Sequence, residues 1–139
     1  MNIVGPLPQS ESGNNYILSF QDDLTKFVQC IPIPNQEAET IAKAFVQRIV
    51  CVFGLPESIV TDQGTNFLSD LFKRICKLLK ITKLQTTPYH PQSNGSLVRF
   101  HRTLGDYLRS FVNGDPLNWD TWLEYAAFSY NTTPHTSTD

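Results

Sequence analysis

The sequence predicts a mixed α/β domain, a sheet flanked by helices. Three observations predict it. Runs rich in β-branched and aromatic residues come first, apolar stripes at helical spacing follow, and short strand-like runs separate those stripes. The chain has 139 residues, 40 % of them apolar and 17 % charged, enough for one cored domain spanning 1–139 and unlike a disordered composition.

Asn2 to Leu7 is a short apolar stretch that meets Pro8, and the polar run from Gln9 to Asn15 around Gly13 reads as a turn. Tyr16 to Phe20 and Phe27 to Ile33 are strands by content, the second at a sheet edge because of Pro32 and Pro34. Together these make a three-stranded antiparallel meander. Asn35 can cap the helix that follows, with Ile41, Phe45, Ile49 and Val52 on its apolar stripe and Gly54 and Pro56 as its stop. Glu57 to Thr61 is a short strand. Phe67 to Leu79 is a helix with Leu68, Leu71, Phe72, Ile75, Leu78 and Leu79 at helical spacing, and Lys83 to Thr86 is a further strand. The order β-β-β-α-β-α-β describes a mixed five-stranded sheet. A polar loop from Thr87 to Gly95 leads into a helix from Leu97 to Val112, and Trp119 to Tyr130 is a third long helix.

The balance of eleven basic against thirteen acidic residues gives a net charge of −2 and excludes nucleic-acid wrapping by bulk charge. The positive charge is nevertheless uneven. Lys73, Arg74, Lys77, Lys80 and Lys83 fall within one short stretch, and Arg99, Arg102 and Arg109 follow on the next helix. Lys73, Lys77 and Lys80 share one helical face by spacing, either a solvated face or a surface for phosphates. Cys30, Cys51 and Cys76 lack ligand spacing and read as reduced, mostly buried thiols. Residues 1–20 hold no positive charge and no long apolar run, so a soluble domain of the nucleus or cytoplasm, without membrane or small-molecule partners, is the expectation.

Asp62 stands at the carboxyl end of a short strand and is followed by Gly64, a usual place for a catalytic or metal-binding carboxylate, although it could equally cap a turn. Asp22 and Asp23 read as strand-end residues. His90, beside Pro91 in the polar loop, is either a phosphate contact or plain surface. No phosphate-binding glycine loop, zinc-protease motif or nucleophile elbow occurs.

Four segments in combination carry a specific resemblance: Ile3-Val4-Gly5-Pro6-Leu7-Pro8, Thr61-Asp62-Gln63-Gly64-Thr65-Asn66-Phe67, His90-Pro91-Gln92-Ser93-Asn94-Gly95, and Trp119 with Tyr130-Asn131-Thr132-Thr133-Pro134-His135. The chain resembles the integrase catalytic core of gypsy-type long-terminal-repeat retrotransposons and retroviruses. The resemblance implies a ribonuclease-H-like fold, and DNA end trimming and joining by magnesium or manganese held on an Asp, Asp, Glu triad. Two metals about 3.5–4 Å apart activate the attacking oxygen and stabilise the leaving one, and as hard cations they require carboxylate oxygens.

Carried over residue by residue, the triad falls on Asn2, Asp62 and Val98, so one carboxylate of three remains. Asn2 keeps a neutral oxygen and Val98 has no ligand atom. Metal at Asp62 is therefore expected to be weak, with no tightly bound cofactor. Asp22 or Asp23 could substitute only if the hairpin sets Asn2 opposite residues 20–22. The resemblance places DNA contact on His90, Gln92, Asn94, Gly95, Arg99 and Arg102, with Lys73, Lys77 and Lys80 as further contacts. It also implies homodimers through apolar helix surfaces, for which Trp119, Trp122 and the helix from Phe67 are candidates, and it makes the chain appear short of the start of the first strand and of a last helix. The expected function is a catalytically degenerate integrase core with weak DNA binding. The alternatives are an active polynucleotidyl transferase with an unusual site, a protein-interaction module, or a remnant without function.

Overall fold

A computed structural model describes residues 1–61, 69–85, 95–111 and 115–133, with backbone alone for 85, 95–98 and 110–111. Strands β1 (Asn2–Val4), β2 (Tyr16–Gln21) and β3 (Val28–Ile33) form the antiparallel meander in the order β1-β2-β3. β4 (Ser58–Thr61) and β5 (Thr82–Gln85) pair in parallel. The Met1 amino group donates to Val60 O at 2.5 Å and joins the two ladders.

Alternation along the strands sends residues to two cores. Leu18, Ile31 and Ile33 pack with Ile41, Phe45, Ile49, Ile59, Phe72 and Cys76 in one layer. Ile17, Val28 and Cys30 pack with Phe100, Leu104, Trp119, Leu123 and Ala126 in the other. Helices α1 (Ala38–Ala44) and α3 (Asp70–Leu78) thus cover one face of the meander, and α4 (Gly95–Phe111) and α5 (Leu123–Thr132) cover the opposite face. Phe45 and Phe72 are fully buried and meet at 5.5 Å between ring centroids. Burial of each such ring contributes about 2–3 kcal/mol.

Several expectations are corrected. Asn35 does not occupy the cap position of α1. That position is Glu37, and Asn35 Oδ1 accepts from Glu37 N at 3.0 Å and from Thr40 Oγ1 at 2.6 Å. After α1 the helix widens into a π segment, Phe45–Val50, before a last α turn, α2 (Cys51–Phe53). More residues per turn shift the phase of the stripe. Ile41, Phe45 and Ile49 stay in the core, whereas Val52 stands 61 % exposed. Cys51, on the same turn, is exposed, while Cys30 and Cys76 are buried, and all three are free thiols.

The α3 stripe is only partly the expected one. Phe72 and Cys76 enter the core, and Leu71 and Leu78 face outward. Ser69 caps this helix, accepting from Phe72 N at 3.2 Å. Lys80 lies past the helix end with φ of 59°, so it does not continue the Lys73–Lys77 row. Residues 116–122 form a 3-10 helix, and the α-helix begins only at Leu123. Pro116 fits the first turn of that segment, and Asp115 accepts from Leu117 N to start it.

The β1–β2 connection is pinned to the 3-10 helix. Trp119 Nε1 donates to Pro8 O at 2.7 Å, Glu11 N donates to Leu117 O at 2.9 Å, and Asp120 Oδ2 accepts from Ser10 Oγ at 2.6 Å and Asn14 Nδ2 at 2.9 Å. Trp119 is therefore core, not a docking face. Gly5 has a physical reason. At φ of 137° a Cβ there would meet Tyr16 Cδ1 at 2.6 Å and Asn15 O at 2.9 Å. Among the described residues no helix is long and apolar enough to cross a membrane.

Candidate functional site

Asn2 begins β1 and pairs directly with Ser19, which in turn pairs with Cys30 on β3. Directly paired residues of antiparallel strands share a sheet face. Asn2, Ser19 and Cys30 therefore look toward the α4 and α5 layer, the side on which Cys30 belongs to the core that includes Phe100, Leu104 and Leu123. Asn2 Oδ1 accepts from Ile3 N at 2.9 Å, so the amide oxygen that a cation would use already has a donor. Ser19 is fully buried, and its Oγ has no well-aligned partner among the described residues. The adjacent Cys30 thiol is a weak acceptor, and burial pushes that thiol up to about 12 against the opposing pull of the Ser19 hydroxyl.

β4 approaches the same place from the side. Its last residue, Thr61, is fully buried, and the preceding Val60 accepts from the Met1 amino group. Asp62 is next in sequence but lies outside the described residues, as do His90, Gln92 and Asn94. Gly95 opens α4, and Val98 follows on that helix one turn before His101 and Arg102. His101 is half-buried, and its Nε2 has no hydrogen-bond partner among the described residues. Burial pushes its pKa down to about 4, and the positive amino terminus at Met1 adds to the effect.

The Met1–Val60 bond brings the start of β1 to β4, and α4 packs on β2, the strand beside β1. Asp22 and Asp23 sit in the β2–β3 turn, three and four residues beyond Ser19. Asp22 Oδ2 accepts from Thr25 N at 3.0 Å and Thr25 Oγ1 at 2.7 Å, and Asp23 pairs with Lys26 at 3.3 Å. The Thr25 hydroxyl and amide hold the Asp22 carboxyl below its usual range, with Lys26 helping. Asn2 is opposite Ser19, one residue before the expected stretch, and both acids lie beyond the end of β2.

The basic residues also divide. Lys73, Arg74 and Lys77 are exposed on α3, and Arg99 and Arg102 are exposed on α4, on the opposite side of the sheet. They do not form one continuous surface. Sequence reasoning did not anticipate the pairing of Asn2 with Ser19 and of Ser19 with Cys30. Its available signal was the cross-strand register, which requires the hairpin length to be known.

The donor chemistry can be tested against a metal pair. Asn2 offers one neutral oxygen and Val98 offers none. Among the described residues no three His, Cys, Asp or Glu side chains cluster as a ligand set. These residues do not fit two adjacent dications, whose mutual repulsion requires bridging negative charge.

Comparison with known proteins agrees with the architecture. The integrase core domain family matches residues 2–91. The retrovirus-related Pol polyprotein from transposon 412 of Drosophila melanogaster is 40 % identical over 133 residues, covering 96 % of this chain and 11 % of that protein. The transposon Tf2-3 polyprotein of Schizosaccharomyces pombe is 29 % identical over 139 residues, covering 99 % of this chain and 10 % of that protein. The chain spans about a tenth of the length of these curated relatives. Among solved structures, the catalytic core domain of BIV integrase matches with a TM-score of 0.73 at 27 % identity, covering 96 % of this chain and 84 % of that one. The simian T-cell lymphotropic virus intasome in complex with PP2A regulatory subunit B56 gamma matches with a TM-score of 0.79 at 20 % identity, covering 96 % of this chain and 48 % of that one. The meander, the parallel pair and the two helical layers are the ribonuclease-H-like arrangement, and this chain belongs to the integrase core domain family.

Proposed function

We propose that this chain is a retrotransposon-type integrase core that has lost metal-dependent strand transfer and keeps a nucleic-acid contact on its α4 side. The observation that carries the reading is the donor set: Asn2, with its amide oxygen bonded to Ile3 N, and hydrocarbon Val98 stand where the family uses carboxylates. Asp62 alone cannot offset the charge of two dications. Arg99 and Arg102 are exposed on α4, both following Val98 in sequence, and the polar stretch with His90, Gln92 and Asn94 precedes the same helix in sequence. Phosphate contact there needs no metal. The lysines of α3, on the other layer, are a solvated face in this reading. Placement in the nucleus or cytoplasm and self-association through exposed helix surfaces belong to the same proposal.

The test joins two assays. Incubation of labelled duplex ends with the purified chain and magnesium or manganese gives no nicking above background. Duplex binding weakens with salt, and Arg99→Gln with Arg102→Gln lowers the slope of log K against log salt by about 2, whereas Lys73→Gln with Lys77→Gln leaves it unchanged. Binding that is flat between low and moderate salt defeats the DNA-contact half. Metal-dependent nicking defeats the other half and favours an active polynucleotidyl transferase.

A further inference from the structure

At the β2–β3 hairpin end, away from Asn2, three phenyl rings meet at the surface. Phe20 and Phe53 stack with centroids 5.8 Å apart and planes 27° apart. Phe27 meets Phe53 at 5.6 Å with its plane turned by 63°. The rings therefore form a corner and not a flat stack. Phe27 is 38 % and Phe53 47 % exposed. The corner is open to a hollow of about 430 Å³ lined by Phe20, Asp22, Thr25, Phe27 and Phe53. That volume is at the small end of ligand pockets.

The polar equipment of the hollow is narrow in kind. Thr25 fixes Asp22 through two bonds to Oδ2, which keeps the carboxylate oriented at the edge of the aromatic corner. Lys26, the nearby cation, is paired with Asp23. A neutral apolar guest would leave the Asp22 charge unmatched. A primary ammonium would need several hydrogen-bond acceptors to replace its water. A quaternary ammonium has no N–H to satisfy, sheds water at low cost, is attracted to ring faces, and matches one carboxylate.

We propose that this hollow receives a quaternary ammonium head group, with Phe20, Phe27 and Phe53 as its walls and Asp22 as its counter-ion. The site is separate from the α4 side and does not depend on the nucleic-acid reading. Two sources present this chemistry: a free choline-type molecule and a trimethylated lysine side chain.

The experiment follows ring and backbone resonances of the intact chain during titration with choline, with its uncharged carbon isostere 3,3-dimethylbutan-1-ol, and with a short peptide carrying lysine or trimethyllysine. Choline and the trimethyllysine peptide shift Phe27 and Phe53, choline binds about fivefold tighter than the isostere, and unmethylated lysine is weaker than the trimethylated form. Asp22→Asn keeps an acceptor for Thr25, so the turn survives while the charge preference disappears. Phe53→Ala, at an exposed position, removes binding of both cations. Stronger binding of the peptide assigns the source to a protein side chain, and stronger binding of choline assigns it to a small molecule. Equal binding of choline and the isostere, or no shift at Phe27 and Phe53 with any cation, overturns the proposal.

Discussion

Asn131 gives the sharpest stability prediction. β3 is the outer strand of the meander, and among the described residues its outer edge has no strand partner. The Asn131 side chain on α5 closes part of that edge. Its Oδ1 accepts from Val28 N at 2.8 Å, and its Nδ2 donates to Val28 O at 3.0 Å. One amide thus reproduces both bonds that a neighbouring strand would make. Val28 is fully buried, so water cannot take over easily. Asn131→Ala removes two hydrogen bonds and leaves a buried N–H and C=O, a loss of about 2–4 kcal/mol. Asn131→Asp restores only the acceptor and sets a carboxylate oxygen against the Val28 carbonyl, so it also destabilises. In urea unfolding followed by circular dichroism, with a slope of about 2 kcal/mol/M, the midpoint of the alanine variant falls by about 1–2 M. A midpoint within about 0.25 M of the parent chain would refute the clamp.

Other consequences follow from single contacts. Trp119→Phe keeps the aromatic bulk but loses the bond to Pro8 O, and chemical denaturation shows a loss of about 1–2 kcal/mol. Asp120→Ala leaves Ser10 Oγ and Asn14 Nδ2 without their shared acceptor and costs about 1–3 kcal/mol in the same assay. Gly5→Ala combines a positive φ with an approach of 2.6 Å to the Tyr16 ring, so its melting temperature falls well below that of an alanine substitution at Gly13, where the space is open. His101 is neutral when folded, with a pKa of about 4 against 6.5 for the free side chain. Its contribution is complete above 6.5 and is lost as pH falls from 6.5 toward 4, because the unfolded chain binds the proton first. Stability measured across that window drops by roughly 2 kcal/mol from this group, and His101→Gln flattens the drop. Asp22, whose carboxyl is held low, acts only below that window.

The fold was legible where side-chain pattern alone decides it. Tyr16–Gln21 and Val28–Ile33 are strands by content, and Pro32 and Pro34 correctly mark the sheet edge. The helices were legible in existence but not in phase. A π segment cannot be read from a 3.6-residue repeat, so Val52 was expected inside and stands outside. On α3 the expected apolar set holds in part: Phe72 enters the core beside Cys76, while Leu71 and Leu78 face outward. The site was legible by its type of residue. Asn2 was singled out, but its partner Ser19 was not, because cross-strand register depends on how the loop from Gly5 to Asn15 is pinned by Trp119 and Asp120, contacts more than a hundred residues apart in sequence. The clamp role of Asn131 was hidden for the same reason.

The central claim is that the scaffold is sound and its metal ligands are missing. The direct measurement is nicking of labelled duplex ends in manganese by the parent chain and by the Asn2→Asp, Val98→Glu double variant, side by side. Activity confined to the double variant, and abolished when Asp62→Asn is added, is the predicted result. Nicking by the parent chain that disappears on Asp62→Asn contradicts it.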